Sequence, residues 1–146
     1  MLKYIVIINV KLEEKYMITI EKIDKIAASR KHSYSAPQWQ AIAITGADIL
    51  VAAAAGSGKT EVLSERIARK VASNRWDIDR LLVLTFTTAA AKNMIVRIEN
   101  KISERLLSTN KGEDLIYLRK QRMLMNDAYI STIDSFCLNV LKKFYY

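Results

Sequence analysis

The chain has 146 residues, of which 51% are hydrophobic, so it is long enough and apolar enough to bury the core of one domain. Its 23 Lys and Arg residues against 15 Asp and Glu residues give a formal net charge of +8, which suits a polyanionic partner such as nucleic acid. A single cysteine, Cys137, excludes an intramolecular disulfide and a cysteine-rich zinc site, and it fits a reducing, cytoplasmic setting. No apolar run approaches the roughly 20 residues that a membrane-spanning helix needs.

Residues 1–34 are predicted to be an N-terminal extension outside the domain. The apolar run 4–10 is followed by charged residues instead of a small-residue cleavage site, so we do not interpret it as a signal peptide. Met17 is a second plausible start, which leaves the natural N-terminus open between Met1 and Met17. The only histidine, His32, lies in a polar stretch and is predicted to be exposed.

A helix and a strand are predicted next along the chain. Ser35 and Pro37 indicate the start of a helix over residues 38–44, and Gly46 indicates its end. The apolar run 48–52 predicts a strand that leads into a glycine-rich segment.

That segment has the composition of a phosphate-binding loop: Ala53, Ala54, Ala55, Gly56, Ser57, Gly58, Lys59 and Thr60. Glycine lets the backbone turn successive N–H groups into one concavity, where they meet phosphate oxygens. Lys59 supplies a cation for the β- and γ-phosphates and Thr60 a hydroxyl ligand for Mg²⁺, so these two are the catalytic candidates. A helix is predicted from there to about residue 72, and its N-terminus also favours anions. Its apolar stripe is Leu63, Ile67 and Val71.

The second half of the chain alternates strands and helices. The continuous apolar run 81–86 predicts a strand buried on both faces, as in a parallel sheet. A short strand is predicted at residues 128–132. Helices are predicted over residues 89–107, 113–125 and 133–145. This order predicts an α/β fold with a parallel sheet, whose ligand lies at the carboxyl ends of the strands.

Two of these helices have apolar stripes that predict which residues are buried. The last helix carries Cys137 on its stripe, so this cysteine is predicted to be a packed thiol. In the helix over residues 89–107, four residues are predicted to face inward: Ile95, Ile98, Ile102 and Leu106.

Four segments from about Ser35 onward resemble those of the UvrD-like DNA helicases, and more narrowly those of the AddA-type subunit of the bacterial AddAB helicase–nuclease. One is the phosphate-binding loop, which Glu61 follows at a position where UvrD relatives often have an arginine that stacks on adenine. Residues 38–42, Gln-Trp-Gln-Ala-Ile, resemble the Q motif, in which a glutamine amide reads the adenine edge. Gln38 matches that glutamine, and an amide both donates and accepts, as adenine requires.

Residues 84–94 resemble motif Ia, which holds single-stranded DNA with hydroxyls, backbone amides and an aromatic ring. Thr85, Phe86 and Thr87 match the motif. Thr88 stands where the family usually has Asn, and Asn93 stands where it usually has Glu. The alternative interpretation of Phe86 is a core ring at the end of a strand.

Residues 130–137 resemble the next DNA-contacting motif, motif Ib, in which Thr132 and Ser135 match. Asp134 replaces the family's histidine. A carboxylate repels a phosphate backbone, whereas a histidine can donate a hydrogen bond to it. The alternative role for Asp134 is to cap the last helix.

The resemblance implies a P-loop NTPase of the RecA-like type, with a parallel sheet flanked by helices, present here as an incomplete N-terminal motor subdomain over residues 35–146. It implies the ATP-binding and single-stranded-DNA-contacting segment of an ATP-dependent DNA helicase–nuclease subunit that acts in double-strand break repair and recombination. The implied cofactors are ATP and Mg²⁺. The implied partners are single-stranded DNA, duplex ends for the parent protein, and a partner subunit of the AddB type, with no membrane involved.

ATP hydrolysis in this family also needs an acidic motif and arginines from a second motor domain. No acidic pair in the sequence sits at the end of an apolar strand, and Asp79 precedes its strand. We therefore expect a fragment or the product of a truncated gene, which alone binds nucleotide without efficient hydrolysis. Two alternatives stay open: a small P-loop nucleotide-binding or kinase-like protein without a DNA role, which has no reason to carry residues 85–94, and a DNA-binding remnant that binds no nucleotide.

Overall fold

The computed structural model of the chain describes residues 34–45, 49–52, 56–110 and 112–145. Predictions for the extension up to residue 33, including His32, and for Gly46 and the loop alanines 53–55 lie outside the described residues. The chain divides into two compact units after Arg66, and each unit is described by itself.

The first unit contains the short helix α1 (Ala36–Ala43) and the first turns of helix α2 (Lys59–Asn74). Ser35 is the N-cap of α1 and Pro37 lies in its first turn, so the predicted helix is confirmed, beginning two residues earlier than expected. Its two buried residues form a small core with one residue of α2: Trp39, Ile42 and Val62. This core holds the start of α2 beside α1.

The strand predicted over residues 48–52 is wrong for its described part. Residues 49–52 are not in a strand, although Ile49 is buried and Leu50 is 59% exposed. A strand forms only where a neighbour supplies its backbone hydrogen bonds. The two strands that the described part of the chain contains pair with each other.

The second unit contains a two-stranded parallel sheet, β1 (Leu82–Thr85) and β2 (Tyr129–Thr132). Helix α3 (Thr88–Ser108) follows β1 and packs on both strands, while α4 (Gly112–Leu124) packs along α3. Helix α5 (Ile133–Phe144) follows β2. The prediction of an α/β fold with parallel strands and flanking helices is confirmed at this level.

Helix α4 is tied to the segment before β1 by a buried glutamine. The side chain of Gln121 is fully buried; its Oε1 accepts from the backbone N–H of Ile78 at 2.8 Å, and its Nε2 donates to Oδ1 of Asp77 at 2.6 Å. A buried amide or N–H without a partner costs about 1–3 kcal/mol. These two bonds therefore fix the position of α4 against the 3₁₀ turn Ile78–Arg80.

Helix α3 supplies most of the core of this unit. Of its residues predicted to face inward, Ile98 and Ile102 are fully buried, whereas Ile95 and Leu106 are half-buried. The other buried positions of the helix are Ala91 and Met94.

The apolar strand β1 is buried on one face only, so the prediction that both faces are buried is wrong for the described residues. Val83 and Thr85 are buried, but Leu82 is 49% exposed and Leu84 is 38% exposed. The physical reason is that the described elements cover a single face of this sheet. An apolar run shows which residues favour burial but not what covers them.

The prediction that Cys137 is a packed thiol is also wrong, because this cysteine is exposed. No residue of α5 is buried among the described elements. The apolar stripe of this helix thus has the spacing of a core face without a described element packed over it.

Candidate nucleotide-binding and DNA-contacting sites

Two glycines directly before α2 have a backbone conformation that favours glycine. Gly56 and Gly58 have φ angles of 81° and 79°, in the left-handed region that residues with a Cβ rarely adopt. Helix α2 begins directly afterwards, at Lys59, and the backbone N–H of Val62 donates to the carbonyl of Gly58 at 2.9 Å. The glycines thus turn the chain into a helix N-terminus, and the first N–H groups of a helix favour anions.

Gln38 lies against this loop. Its Oε1 accepts from the backbone N–H of Ser35 at 2.8 Å, and its Nε2 donates to the carbonyl of Ser57 at 3.1 Å. A Cβ on Gly58 would lie 3.3 Å from the same Nε2, closer than an ordinary van der Waals contact. Gln38, the predicted Q-motif glutamine, is therefore in direct contact with the predicted phosphate-binding loop.

The first three residues of α2 are each partly exposed: Lys59, Thr60 and Glu61. Lys59 and Thr60 stand in the first turn, where cofactor and Mg²⁺ contacts were predicted. Glu61 accepts a hydrogen bond from the hydroxyl of Tyr34 at 2.7 Å. The carboxylate at the position of the family's adenine-stacking arginine is thus held by a tyrosine.

Tyr34 was missed by the sequence interpretation. Its ring meets that of Trp39 edge to face, with centroids 5.6 Å apart and planes at 80°. The signal that was available is an aromatic residue directly before the N-cap Ser35, which is the N′ position that packs onto its own helix.

Arg66 is the second residue that the sequence interpretation missed. Its Nη1 donates to the carbonyls at the C-terminal end of α1, and burial lowers the pKa of its guanidinium from the usual value. The available signal is its position four residues after the buried Val62, which places it on the same face of α2.

In the second unit, the predicted DNA-contacting residues of motif Ia differ in exposure. Thr85 is 3% exposed, and its hydroxyl donates to the carbonyl of Thr87 at 3.0 Å. Thr87 is the N-cap of α3, and its side chain accepts from the N–H of Ala90 at 3.1 Å. This geometry gives Thr85 an internal role in shaping the turn, and the DNA contact predicted for its hydroxyl stays a prediction.

The other two motif Ia residues are at the surface. The ring of Phe86 is 56% exposed, so its alternative interpretation as a core ring is wrong. Thr88 is exposed in the first turn of α3. An exposed ring at the end of a strand has a free face on which a base can stack.

Motif Ib forms the N-terminus of α5. Thr132 is the N-cap: its Oγ1 accepts from the N–H of Ser135 at 3.2 Å and donates to the hydroxyl of Ser135 at 2.8 Å. The alternative prediction that Asp134 caps this helix is wrong, because Thr132 is the N-cap. Asp134 is exposed in the first turn of the helix.

The parallel register brings the two motifs to one edge of the sheet. Thr85 of β1 lies opposite Thr132 of β2, so α3 and α5 both begin at the carboxyl ends of neighbouring strands. Both N-termini direct N–H groups and the positive ends of helix dipoles to this edge. An edge of this kind can accept the phosphates of a nucleic acid backbone.

Within the described ranges, no three His, Cys, Asp or Glu side chains are grouped so that they could hold a metal ion. Helices in the same ranges are also too short or too polar to cross a membrane.

The chain belongs to the UvrD/REP helicase N-terminal domain family, which it matches over residues 34–146. It is similar to ATP-dependent helicase/nuclease subunits of the AddA type: it is 49% identical to that of Bacillus licheniformis over 124 residues, and 56% and 54% identical to those of Geobacillus thermodenitrificans and Bacillus anthracis over 111 residues each. These matches cover 84%, 75% and 75% of this chain but 10%, 9% and 9% of the relatives. The chain thus spans about a tenth of their length, and the predicted resemblance is confirmed.

Proposed function

We propose that this chain is the N-terminal ATP-binding and single-stranded-DNA-contacting segment of an ATP-dependent DNA helicase/nuclease. The proposal is supported by membership of the UvrD/REP helicase N-terminal family and by similarity to the AddA-type helicase/nuclease proteins. It includes the P-loop NTPase fold of the RecA-like type for residues 35–146.

The observation that carries the nucleotide part is the contact between Gln38 and the phosphate-binding loop. An amide has two N–H donors and two acceptor lone pairs. Gln38 uses one donor on the carbonyl of Ser57 and one lone pair on the N–H of Ser35. One donor and one acceptor are left over, which is the pair that the edge of adenine requires. A base and its phosphates can therefore be bound by residues that already touch one another.

The residues of the loop fit Mg-ATP. Gly56 and Gly58 carry no Cβ, and no atom lies within 4 Å of the position a Cβ would take on Gly56. Lys59 would hold the terminal phosphates by its charge, and Thr60 would offer its hydroxyl to Mg²⁺. When bound, ATP would supply a phosphoanhydride for hydrolysis, and Lys59 would stabilise negative charge on its terminal phosphates.

The DNA part is supported by the exposed ring of Phe86 and by the two helix N-termini at the same sheet edge. Phe86 would stack on a base, while Thr87, Thr88, Thr132 and Ser135 would contact the backbone. The net charge of +8 adds attraction that depends on salt and not on sequence.

The setting proposed for the longer protein is cytoplasmic double-strand break repair and recombination, on duplex ends and together with a partner of the AddB type. The isolated chain is proposed to bind nucleotide with negligible turnover, because no acidic pair in its sequence sits at the end of an apolar strand. Steady phosphate release at a helicase-like rate that Lys59→Ala removes would contradict this.

Isothermal titration of Mg-ADP into the wild type and Lys59→Ala tests the nucleotide part. We expect binding to the wild type and none to the variant, since the lysine is the loop's cation for the terminal phosphates. At 100 times its Kd, the ligand should stabilise the wild type by about 2.7 kcal/mol. Equal affinity in both proteins would refute the site. Nucleotide binding without any DNA contact at Phe86 would favour the alternative of a P-loop protein without a DNA role.

A further inference from the structure

Arg66 is a half-buried cation whose polar partners, among the described residues, are all backbone carbonyls. Its Nη1 donates to the oxygens of Ala41 at 2.7 Å and Ile44 at 2.8 Å, with a weaker contact to Ile42 at 3.4 Å. The proposed nucleotide site does not use this side chain directly. Its charge is therefore committed to one end of helix α1.

These carbonyls are the ones that a helix leaves unpaired. The last four carbonyls of an α-helix lack intrahelical donors and carry the negative end of its dipole. Arg66 thus caps the C-terminus of α1 from a different helix. Helix α1 has 8 residues, fewer than the roughly 12–15 that a helix needs to persist alone, so contacts from outside determine its position.

The two ends of α1 are held by different parts of the α2 region. Gln38 at the first turn bonds to Ser57, and Arg66 holds the last turn. A helix of this length is about 12 Å long, so a tilt of about 10° at one end moves the other by about 2 Å. Such a shift would break the 3.1 Å bond between Gln38 and Ser57.

We propose that Arg66 is a positioning residue for the nucleobase: by capping α1 from α2, it keeps the amide of Gln38 at the phosphate-binding loop. The inference rests on the proposed nucleotide-binding function, and it adds a residue that touches neither base nor phosphate. Loss of a residue that only stabilises the fold would weaken binding of the base and of the phosphates alike. Loss of a positioning residue for the base would weaken binding of the base alone.

The test measures binding of Mg-ADP and of Mg-pyrophosphate to the full 146-residue chain by titration calorimetry. Arg66→Met keeps the aliphatic stem and removes the cation. Because one or two hydrogen bonds to the base are at stake, we expect this variant to bind ADP about five- to tenfold more weakly and pyrophosphate within about twofold of wild type. Arg119→Met, which removes a charge from an exposed position on α4, is the matched control and should change neither affinity.

Arg66→Lys provides the conservative variant. All three contacts run to the single nitrogen Nη1, which carries two N–H groups, and an ammonium group has three donors on one nitrogen. We therefore expect Arg66→Lys to keep ADP affinity within about threefold of wild type. A Lys variant as weak as Arg66→Met would overturn the inference.

Gln38→Ala completes the design. It should weaken ADP binding in the wild-type background and have no further effect in Arg66→Met. The positioning role is overturned if Gln38→Ala has its full effect in the Arg66→Met background. It is also overturned if Arg66→Met loses ADP and pyrophosphate affinity equally, or if Arg66→Met loses its helical circular dichroism signal. If the wild type binds neither probe, the proposed function fails, and the inference fails with it.

Discussion

Gly58→Ala should cost more stability than Gly56→Ala, although both glycines have nearly the same backbone conformation. Their φ angles are 79° and 81°, and an L-residue with a Cβ in this region is strained by about 1–2 kcal/mol. At Gly56 nothing lies within 4 Å of the added Cβ, so the strain is the whole cost.

At Gly58 the added Cβ would meet Nε2 of Gln38 at 3.3 Å. The amide has to move by a few tenths of an ångström, which lengthens its 3.1 Å bond to the carbonyl of Ser57 to the limit of a hydrogen bond. Losing that bond costs about 0.5–1.5 kcal/mol more. The free energy of unfolding should therefore fall by about 1.5–3.5 kcal/mol for Gly58→Ala and by about 1–2 kcal/mol for Gly56→Ala.

Equilibrium urea unfolding of the two variants measures this difference, and the Gln38→Ala background isolates its cause. Without the glutamine amide, the two alanine substitutions should cost the same. The reasoning is refuted if the two costs are equal in the wild-type background, or if the gap between them survives in Gln38→Ala.

Three other substitutions test separate parts of the structure. Phe86→Ala should weaken binding of single-stranded DNA by about 1–3 kcal/mol with an unchanged salt slope, because it removes stacking and no charge; fluorescence anisotropy at two salt concentrations measures both, and a neutral effect in a folded protein would contradict the stacking. Asp134→His should tighten the same binding, most at low salt, since it removes an exposed carboxylate beside the proposed phosphate contacts; weaker or unchanged binding would argue against DNA at this edge. Gln121→Leu should lower the free energy of unfolding by about 1–3 kcal/mol, because it leaves the N–H of Ile78 without its acceptor; a chemical denaturation midpoint equal to that of wild type would show that the buried amide is not needed.

Local signals in the sequence were sufficient for most of the elements and for the two turn-forming glycines. Ser35 and Pro37 located the start of α1, and the alternation of apolar runs located β1, α3, α4 and α5. Glycines at 56 and 58 were interpreted as turn-forming, and both have the left-handed conformation that makes glycine necessary. These features depend on residues a few positions apart, which sequence patterns report directly.

Contacts between distant segments could not be predicted in the same way. Arg66 and Tyr34 bond to groups more than 20 positions away, and neither has a pattern that separates it from an ordinary exposed residue. Both contacts exist only because α1 lies beside the start of α2. Their role depends on how two helices are placed against each other, and local propensity does not predict that placement.

The incorrect predictions share one physical cause. The run 48–52, the outer face of β1 and the thiol of Cys137 were assigned burial or pairing from their apolar character. Hydrophobicity measures how much free energy a residue gains when it is covered, whereas burial also needs a covering element. The prediction that Asp134 caps the last helix failed for a different reason. Asp and Thr are both good caps, and Thr132, two positions earlier at the end of β2, is the N-cap.

The hydrogen bonds of Gln38 set an upper limit on how strongly the proposed site can discriminate between bases. Its Nε2 and Oε1 each keep one bond within the protein, so binding a base adds contacts without releasing the loop. Along its Hoogsteen edge adenine offers a donor and an acceptor, whereas guanine offers two acceptors along the same edge and leaves the remaining lone pair of Gln38 without a donor. One hydrogen bond is worth about 0.5–1.5 kcal/mol net, which is at most about a tenfold preference for adenine. Since Glu61 stands where relatives often have a stacking arginine and is held by Tyr34, stacking from that position adds nothing to this preference. Discrimination beyond tenfold would therefore require a base contact from residues other than these.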